Sequence, residues 1–432
     1  MTQKLSLKEE LQKRGLIYQY TDEKLFEEYD KWGKVLYLWV DPTADSLQLW
    51  NLVPIMAAVN FMKRGNKLIL ILWGATGMIG DPSWKDKERQ LKSIEEIKKN
   101  WEKIYRQLVD ILDRLSKFSG IKLESEVVNN YDFYKNMSIL EFLRDVGKYI
   151  TVNQMIAKES VKRRLQDPER WISYTEFSYM LLQWYDFLKL YEDKNVQLQI
   201  WWSDQWWNIV TGIELIRKKL GKDNAWWFTV PLLTTSDGKK FGKSEGNAIW
   251  IDPNKNSPYF VYQYFINTTD EDVEKFLKIL TLLDLEEINK IVEKHFEKPE
   301  KRFGQKKLAY EIVKFLFGED EAEIAKNISE LLFWKENKLE ILSKFNNQWL
   351  ERLFNEIWGI KNIKLPISIL DILVESWLAK SKSEARKLIK QWWIYLNEKL
   401  INDINYQITD KDFIKNIALL RKWKKSYKLL IK

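Results

Sequence analysis

The sequence predicts an α/β fold built on a parallel sheet, and three observations carry that prediction. Apolar runs at 35–40 (VLYLWV) and 68–73 (LILILW) read as short buried strands, and 196–200 (VQLQI) reads as another strand. Amphipathic stretches of helical period follow at 47–63, 88–118 and 174–191. The first two runs end in polar or glycine-bearing turns, and the third enters the loop Ser203-Asp204-Gln205, as strands feeding crossovers do.

The elements follow in order. After the first strand comes DPTADSLQLWN at 41–51, which opens a helix. A strand end meeting a helix N-terminus is where α/β folds hold phosphates, although Asp45 and Ser46 are also good N-cap residues. After the second strand, GATGMIGDPS at 74–83 supplies three glycines and one carboxylate, Asp81. Val127-Val128 leads into a turn at Asn129-Asn130. On the helix at 174–191, Tyr179, Gln183 and Asp186 share one face at i, i+4 and i+7. Lys240 and Lys243 flank Gly242 in KKFGKS, a cationic loop suited to closing on a polyphosphate. Beyond Pro253 the pattern turns helical over 268–355, a linker follows at 362–366, and 367–432 begins with two short helices before a strand at 394–396.

Composition narrows the chemistry. The chain has 432 residues, no cysteine and one histidine, His295. Disulfide frameworks, thiolate metal sites, cysteine nucleophiles and histidine triads are excluded. No apolar run is long enough to cross a bilayer, and residues 1–14 lack the apolar core of a secretory signal, so a cytoplasmic protein is expected. The net charge of +8 is uneven: 361–432 holds 16 basic against 7 acidic side chains, and the remainder 54 against 55. A basic terminal module suits a phosphate backbone, or else is a solvated basic face. One balance is abnormal: 16 glycines against 22 tryptophans.

In this order the motifs resemble the class I aminoacyl-tRNA synthetases, and specifically the bacterial-type tyrosyl-tRNA synthetases. The likeness covers YLWVDPTADSLQLWNLVP, WGATGMIGDPSWKDKER, NNYDF, FLRDVGKYITVNQMIAKESV, ISYTEFSYMLLQWYDF, LQIWWSDQWWNIVTGIELI, VPLLTTSDGKKFGKSEGNAIWID and SPYFVYQYFINT. It ends with LAKSKSEARKLIKQWWIYLN, similar to an S4-type RNA-binding module. The resemblance implies a Rossmann-like catalytic domain over 1–235, a KFGKS loop and connection over 236–255, an α-helical anticodon-side domain over 256–360, and a small α+β S4-like domain over 361–432.

The resemblance also implies roles. Tyr37 and Asp186 match the residues that bind the substrate phenol; Tyr179, Gln183 and Asp81 match those around its ammonium, and Gln205 lies beside its carboxylate. A polar pair at the pocket floor rejects phenylalanine, which would leave it unpaired; this family is the standard illustration of that effect. Asp204 matches a ribose ligand, and Trp39, Asp41, Trp50, Asn51, Trp202 and Lys243 fall where ATP is bound. Lys85, Arg89, Lys240 and Lys243 match a mobile set around pyrophosphate, for which surface salt bridges are the alternative reading at Lys85 and Arg89. The implied reaction is tyrosine activation by ATP with Mg²⁺, then transfer to tRNA(Tyr), in a homodimer with no protein-bound metal or organic cofactor. The alternative is a catalytically dead synthetase-like protein that binds RNA.

Two departures stand out. Gln48 replaces a family histidine and cannot carry charge. Tryptophan stands where the family has glycine at 39, 50, 73, 84, 201, 202, 207, 377, 392, 393 and 423, and also at 171 and 184, whereas Trp206 and Trp250 fall on family tryptophans. Overpacking costs about 1–3 kcal/mol per site. The pattern is that of a gene whose UGA codons mean glycine, translated with tryptophan.

Overall fold

The computed structural model describes residues 5–40, 44–79, 93–167, 172–203, 206–244, 247–333, 345–414, 416–423 and 426–432. Their contacts form two compact units: Met1–Ser257 with Tyr264–Phe317, and Pro258–Gln263 with Gly318–Lys432.

The first unit is built on a six-stranded sheet: β1 (Gln19–Tyr20), β2 (Val35–Val40), β3 (Lys67–Leu72), β4 (Ser125–Asn129), β5 (Val196–Trp202) and β6 (Trp226–Val230). Spatial order is β1-β6-β5-β2-β3-β4. All neighbours run parallel except the short edge strand β1. The chain winds outward from β2 through β3 and β4, then returns to the other side of β2 for β5 and β6. That reversal opens a crevice at the carboxyl ends of β2 and β5, the usual ligand position in such sheets.

Helix α1 (Leu52–Met62) is buried along its whole length, against strands on one side and another helix on the other. The sequence pattern predicts its start at residue 47, but Leu49–Asn51 forms a 3₁₀ turn and the α-helix begins at Leu52. The difference has a tertiary cause. Leu49 N–H donates to Ile249 O and Ile251 N–H to Leu47 O, both at 2.8 Å, which keeps 47–49 extended.

Helix α2 (Ile94–Ser119) is N-capped by Ser93, and α3 (Tyr174–Lys194) by Ser173, with Asn195 closing α3 in the left-handed region. Helix α4 (Trp206–Leu220) returns to the sheet and packs on α3. Of the helical stretch expected over 256–360, Pro258–Gln263 is grouped with the second unit, whereas Tyr264–Phe317 belongs to this one. Its helices α5 (Asp270–Leu280) and α6 (Phe303–Phe317) pack on α1 and α2 respectively. The buried Arg14 guanidinium secures α5 by donating to the carbonyls of Lys278, Thr281 and Leu283.

The second unit contains α7 (Glu319–Phe333), α8 (Asn347–Ile357), α9 (Ile369–Glu375) and α10 (Lys382–Lys390). Its four-stranded antiparallel sheet comprises β7 (Ile394–Leu396), β8 (Lys399–Leu400), β9 (Ile417–Lys422) and β10 (Ser426–Ile431). Both faces of β9 and β10 are covered. Ala418, Leu420 and Leu430 join Ile369, Leu373 and Ile389, while Leu419 and Leu429 join Ile328, Leu331 and Leu353. Residue alternation thus serves two cores from one sheet.

Four tryptophans of this unit have left-handed backbone: Trp358 (φ 54°), Trp377 (59°), Trp392 (64°) and Trp423 (53°). Trp358 ends α8, and the Trp377 and Trp392 N–H groups close the ends of α9 and α10 on Val374 O and Ile389 O. Trp423 follows β9. All four side chains are exposed. These are the positions at which helix and strand ends ordinarily place glycine.

Candidate active site

The site is assembled at the carboxyl ends of β2, β3 and β5 and along α3. On α3, Tyr179, Gln183 and Asp186 are all buried on one face; Tyr179 joins the same apolar core as Tyr37 of β2, and Asp186 is close enough to Tyr37 to act on its hydroxyl. The structure therefore brings together four of the residues expected around tyrosine.

Asp186 is fully buried, and burial raises its carboxyl from 3.8 to about 7. Two donors oppose that rise: Asn130 Nδ2 at 2.9 Å and the Tyr134 hydroxyl at 2.7 Å. The Tyr134 hydroxyl also reaches Leu182 O at 2.8 Å, and Asn130 is itself oriented by Thr76 Oγ1 and by the Ala75 N–H. Neither Asn130 nor Tyr134 is singled out by sequence reasoning. The available signal is the NNYDF block, which places an asparagine turn and aromatics after β4.

That turn needs Gly74, since a Cβ there would lie 1.9 Å from Asn129 Oδ1. Burial, and then Asp186, push the Tyr37 hydroxyl well above its usual range. The Tyr37 hydroxyl and both polar atoms of the Gln183 amide lack hydrogen-bond partners among the described residues. Leaving such buried groups unpaired costs about 1–3 kcal/mol each, so a polar ligand gains by meeting them.

Indoles crowd the crevice above this floor. Trp39 meets Trp73 edge-on at 5.3 Å and Trp201 at 6.1 Å between ring centroids, and Trp73 meets Tyr179 at 5.9 Å. The Trp39, Trp73, Trp184 and Trp202 indole N–H groups have no acceptor among the described residues. Trp50 stacks on Trp202 at 5.3 Å and donates to Gln48 Oε1, while Gln48 N–H donates to Asn51 Oδ1.

The cationic loop lies against this second group. Lys240 Nζ sits 4.4 Å from the Trp50 ring centroid. Gly242 is left-handed (φ 77°), and a Cβ there would come within 2.9 Å of Trp50 N. Lys243 is exposed in a two-residue hairpin, where it pairs with Ala248. Gln48, Trp50, Asn51, Trp202 and Lys240 are thus connected in one region, with Lys243 three residues further along the same loop. Asp41, Asp81, Lys85, Arg89, Asp204 and Gln205 lie outside the described residues.

Comparison with known proteins supplies the context. Residues 34–334 match the family model for class I tRNA synthetases of the tryptophan and tyrosine type, and 350–430 match the C-terminal domain model of tyrosine–tRNA ligases. The chain is 42% identical to a tyrosine–tRNA ligase of Streptococcus gordonii, over 98% of this chain and 99% of that protein. A Staphylococcus carnosus tyrosine–tRNA ligase matches at 42%, over 98% of each chain. Among solved structures, a C-terminally truncated mitochondrial tyrosyl-tRNA synthetase of Aspergillus nidulans superposes with a TM-score of 0.68. It is 30% identical, over 76% of this chain and 95% of that one.

Proposed function

The chain belongs to the class I tyrosyl-tRNA synthetases, and from that premise we propose how its residues carry the reaction. It activates tyrosine with ATP to tyrosyl-adenylate and pyrophosphate, then transfers tyrosyl to the terminal adenosine of tRNA(Tyr). The observation that carries the site assignment is the buried floor, where a fully buried hydroxyl (Tyr37) and a fully buried carboxyl (Asp186) interact. A phenol hydroxyl entering there donates to Asp186 and accepts from Tyr37. Tyr179, Gln183 and Asp81 receive the ammonium, and Gln205 the carboxylate.

On this reading Trp39, Asp41, Trp50, Asn51, Trp202 and Asp204 surround the adenosine, and Gln48 donates to a phosphate. Lys85, Arg89, Lys240 and Lys243 neutralise the departing pyrophosphate. No side chain need form a bond to substrate, because positioning and charge stabilisation carry such transfers. Mg²⁺ enters on the phosphates of ATP. The test is tyrosine-dependent ATP–pyrophosphate exchange by the natural protein. Exchange is the expected result, and RNA binding without exchange would mean a dead synthetase-like binder instead.

The tryptophan surplus belongs to the same reading: the glycine-site tryptophans are glycines encoded by UGA. Two independent features support it. Trp50 and Trp202 stack on each other in the region this reading assigns to adenosine, and Trp39 and Trp73 bury indole N–H groups lacking acceptors among the described residues. Four others take a backbone conformation that costs a side-chain-bearing residue about 1–2 kcal/mol. The gene decides it: UGG at Trp39, Trp50, Trp201 and Trp202 ends the idea. UGA there, with UGG at Trp206 and Trp250, sustains it. Peptides of the natural protein would then be lighter by the difference between tryptophan and glycine residues.

The protein acts as a cytoplasmic homodimer. What supports the dimer is an exposed apolar group on the first unit: Ile139, Leu140, Leu143, Val152, Ile156 and Tyr174. Sedimentation of the natural protein at twice the monomer mass is the expected outcome. No helix among the described residues is long and apolar enough to cross a membrane.

A further inference from the structure

Asp45 stands where three segments of the first unit meet. One of its carboxylate oxygens accepts from Lys103 Nζ of α2 at 2.8 Å, and the other from Lys255 Nζ. One turn further along α2, Gln107 Oε1 accepts from Leu47 N–H at 2.8 Å, and Gln107 Nε2 lies 3.1 Å from Ser46 Oγ. Lys103 and Gln107 therefore grip 45–47 from a single helix face.

The third segment carries the cationic loop. Its 249–251 backbone pairs with 47–49 through two hydrogen bonds, and Ile249 N–H donates to Gly242 O at 2.9 Å. Beyond it, 250–256 folds on itself: Lys255 and Asn256 N–H donate to Asp252 O, and Trp250 N–H donates to Asn256 Oδ1 at 2.6 Å. Lys255 is thus presented from a small closed turn, with its Nζ 4.5 Å from the Trp250 ring centroid. Two backbone hydrogen bonds and this ion pair join 247–256 to 45–49, beside the buried side chains of Leu47, Leu49, Ile249 and Ile251.

We propose that Asp45 is a positioning residue, whose carboxylate ties the Lys240–Lys243 loop to the phosphate-facing turn at 48–51. The proposal rests on the assignment of Lys240 and Lys243 to pyrophosphate. Asp45 touches no reacting atom in this role. It sets where the loop lysines stand when charge develops on the leaving group, and small displacements there are costly. The two ammonium groups hold the Asp45 carboxyl at about 2, so the tie persists throughout the neutral range.

The experiment compares the parent with Asp45→Asn, Lys255→Met and the double variant. Tyrosine-dependent pyrophosphate exchange should lose kcat roughly two- to fivefold in Lys255→Met, which breaks one exposed ion pair, and up to about tenfold in Asp45→Asn, which breaks both. KM for tyrosine should stay unchanged, because Tyr37, Tyr179, Gln183 and Asp186 lie on other elements. The double variant should lose no more than Asp45→Asn alone, since that change already removes the Lys255 pair. Asp45→Glu should recover much of the loss. Hydrogen exchange at the amides of Leu49 and Ile251, the two donors between the segments, should quicken in both single variants.

Unchanged exchange overturns the tie. Faster exchange with unchanged kcat, additive losses, or an equal rise in KM for tyrosine overturns the positioning role. Full kcat in Lys240→Met and Lys243→Met would overturn the lysine assignment instead, and would leave the exchange result standing.

Discussion

Replacing Trp377 by glycine should stabilise the second unit, although it deletes the largest natural side chain. The indole is 90% exposed, so little buried area is lost. Its φ of 59° costs a residue with a Cβ about 1–2 kcal/mol, and glycine loses that cost. Against this stands the greater freedom of glycine in the unfolded chain, roughly 0.5–1 kcal/mol. The net gain is about 0.5–1 kcal/mol per site by these magnitudes. Trp358, exposed and with φ 54°, should behave alike. Trp423 should gain less, because it stacks on Trp393 at 5.9 Å. Trp32 is the control: it is 84% exposed but is not among the left-handed residues, so glycine there should be neutral or destabilising. Because the chain has two units, whole-molecule melting is a poor gauge. Native-state hydrogen exchange in β9 and β10 reports the second unit directly. Trp358→Gly and Trp377→Gly together should slow it by roughly five- to thirty-fold, at a factor of ten for each 1.4 kcal/mol. Exchange in β9 and β10 no slower in these variants than in the parent would refute the backbone argument.

Three further outcomes follow from the site. Asp186 is neutral in the folded chain up to about pH 7, whereas its unfolded carboxyl titrates near 3.8. Stability from this group is therefore full below the unfolded value and is lost as pH rises through the folded one. Asp186→Asn should gain on the parent by up to about 4 kcal/mol between pH 4 and 7 in urea unfolding, and a pH-independent difference would contradict the burial argument. Tyr37→Phe removes a buried hydroxyl with no partner among the described residues. It should leave stability within about 1 kcal/mol while lowering the preference for tyrosine over phenylalanine tenfold or more, measured as the ratio of kcat/KM in exchange. Gly242→Ala combines a φ of 77° with a 2.9 Å approach to Trp50 N. It should lower kcat for adenylate formation at least tenfold with KM for tyrosine unchanged, and a normal kcat would show that the loop does not need this close packing.

Some of this was legible in the chain and some was not, for physical reasons. Parallel strands buried on both faces read as unbroken apolar runs, so VLYLWV and LILILW announce β2 and β3 within a residue. The face bearing Tyr179, Gln183 and Asp186 follows from helical period alone. Asn130 and Tyr134 reach Asp186 across 56 and 52 residues, and no local pattern encodes that contact. The same holds for the Asp45–Lys255 pair, 210 residues apart, and for the late start of α1. Trp358 was invisible to motif comparison and emerges only from its backbone angle.

That last residue changes the standing of the tryptophan surplus. Family resemblance places glycine at Trp377, Trp392 and Trp423 but is silent on Trp358. Backbone geometry selects all four by a criterion that does not depend on resemblance. Other tryptophans occupy ordinary places. Trp226 lies in β6 edge-on to Tyr29 at 6.4 Å, and Trp349 lies in α8 edge-on to Phe345 at 5.4 Å, neither of them left-handed. An aromatic-rich composition should scatter indoles among such places. Instead the excess gathers at left-handed turns and in the crevice at the carboxyl ends of β2 and β5, which the proposed function assigns to the nucleotide. Side-chain chemistry unites no such pair of settings, since one is solvent-exposed and the other buried. What they share is a need for no side chain at all, as a left-handed turn and a close nucleotide approach are both served by glycine. A gene with UGG at Trp358 would break this argument at its strongest point, because no resemblance placed glycine there.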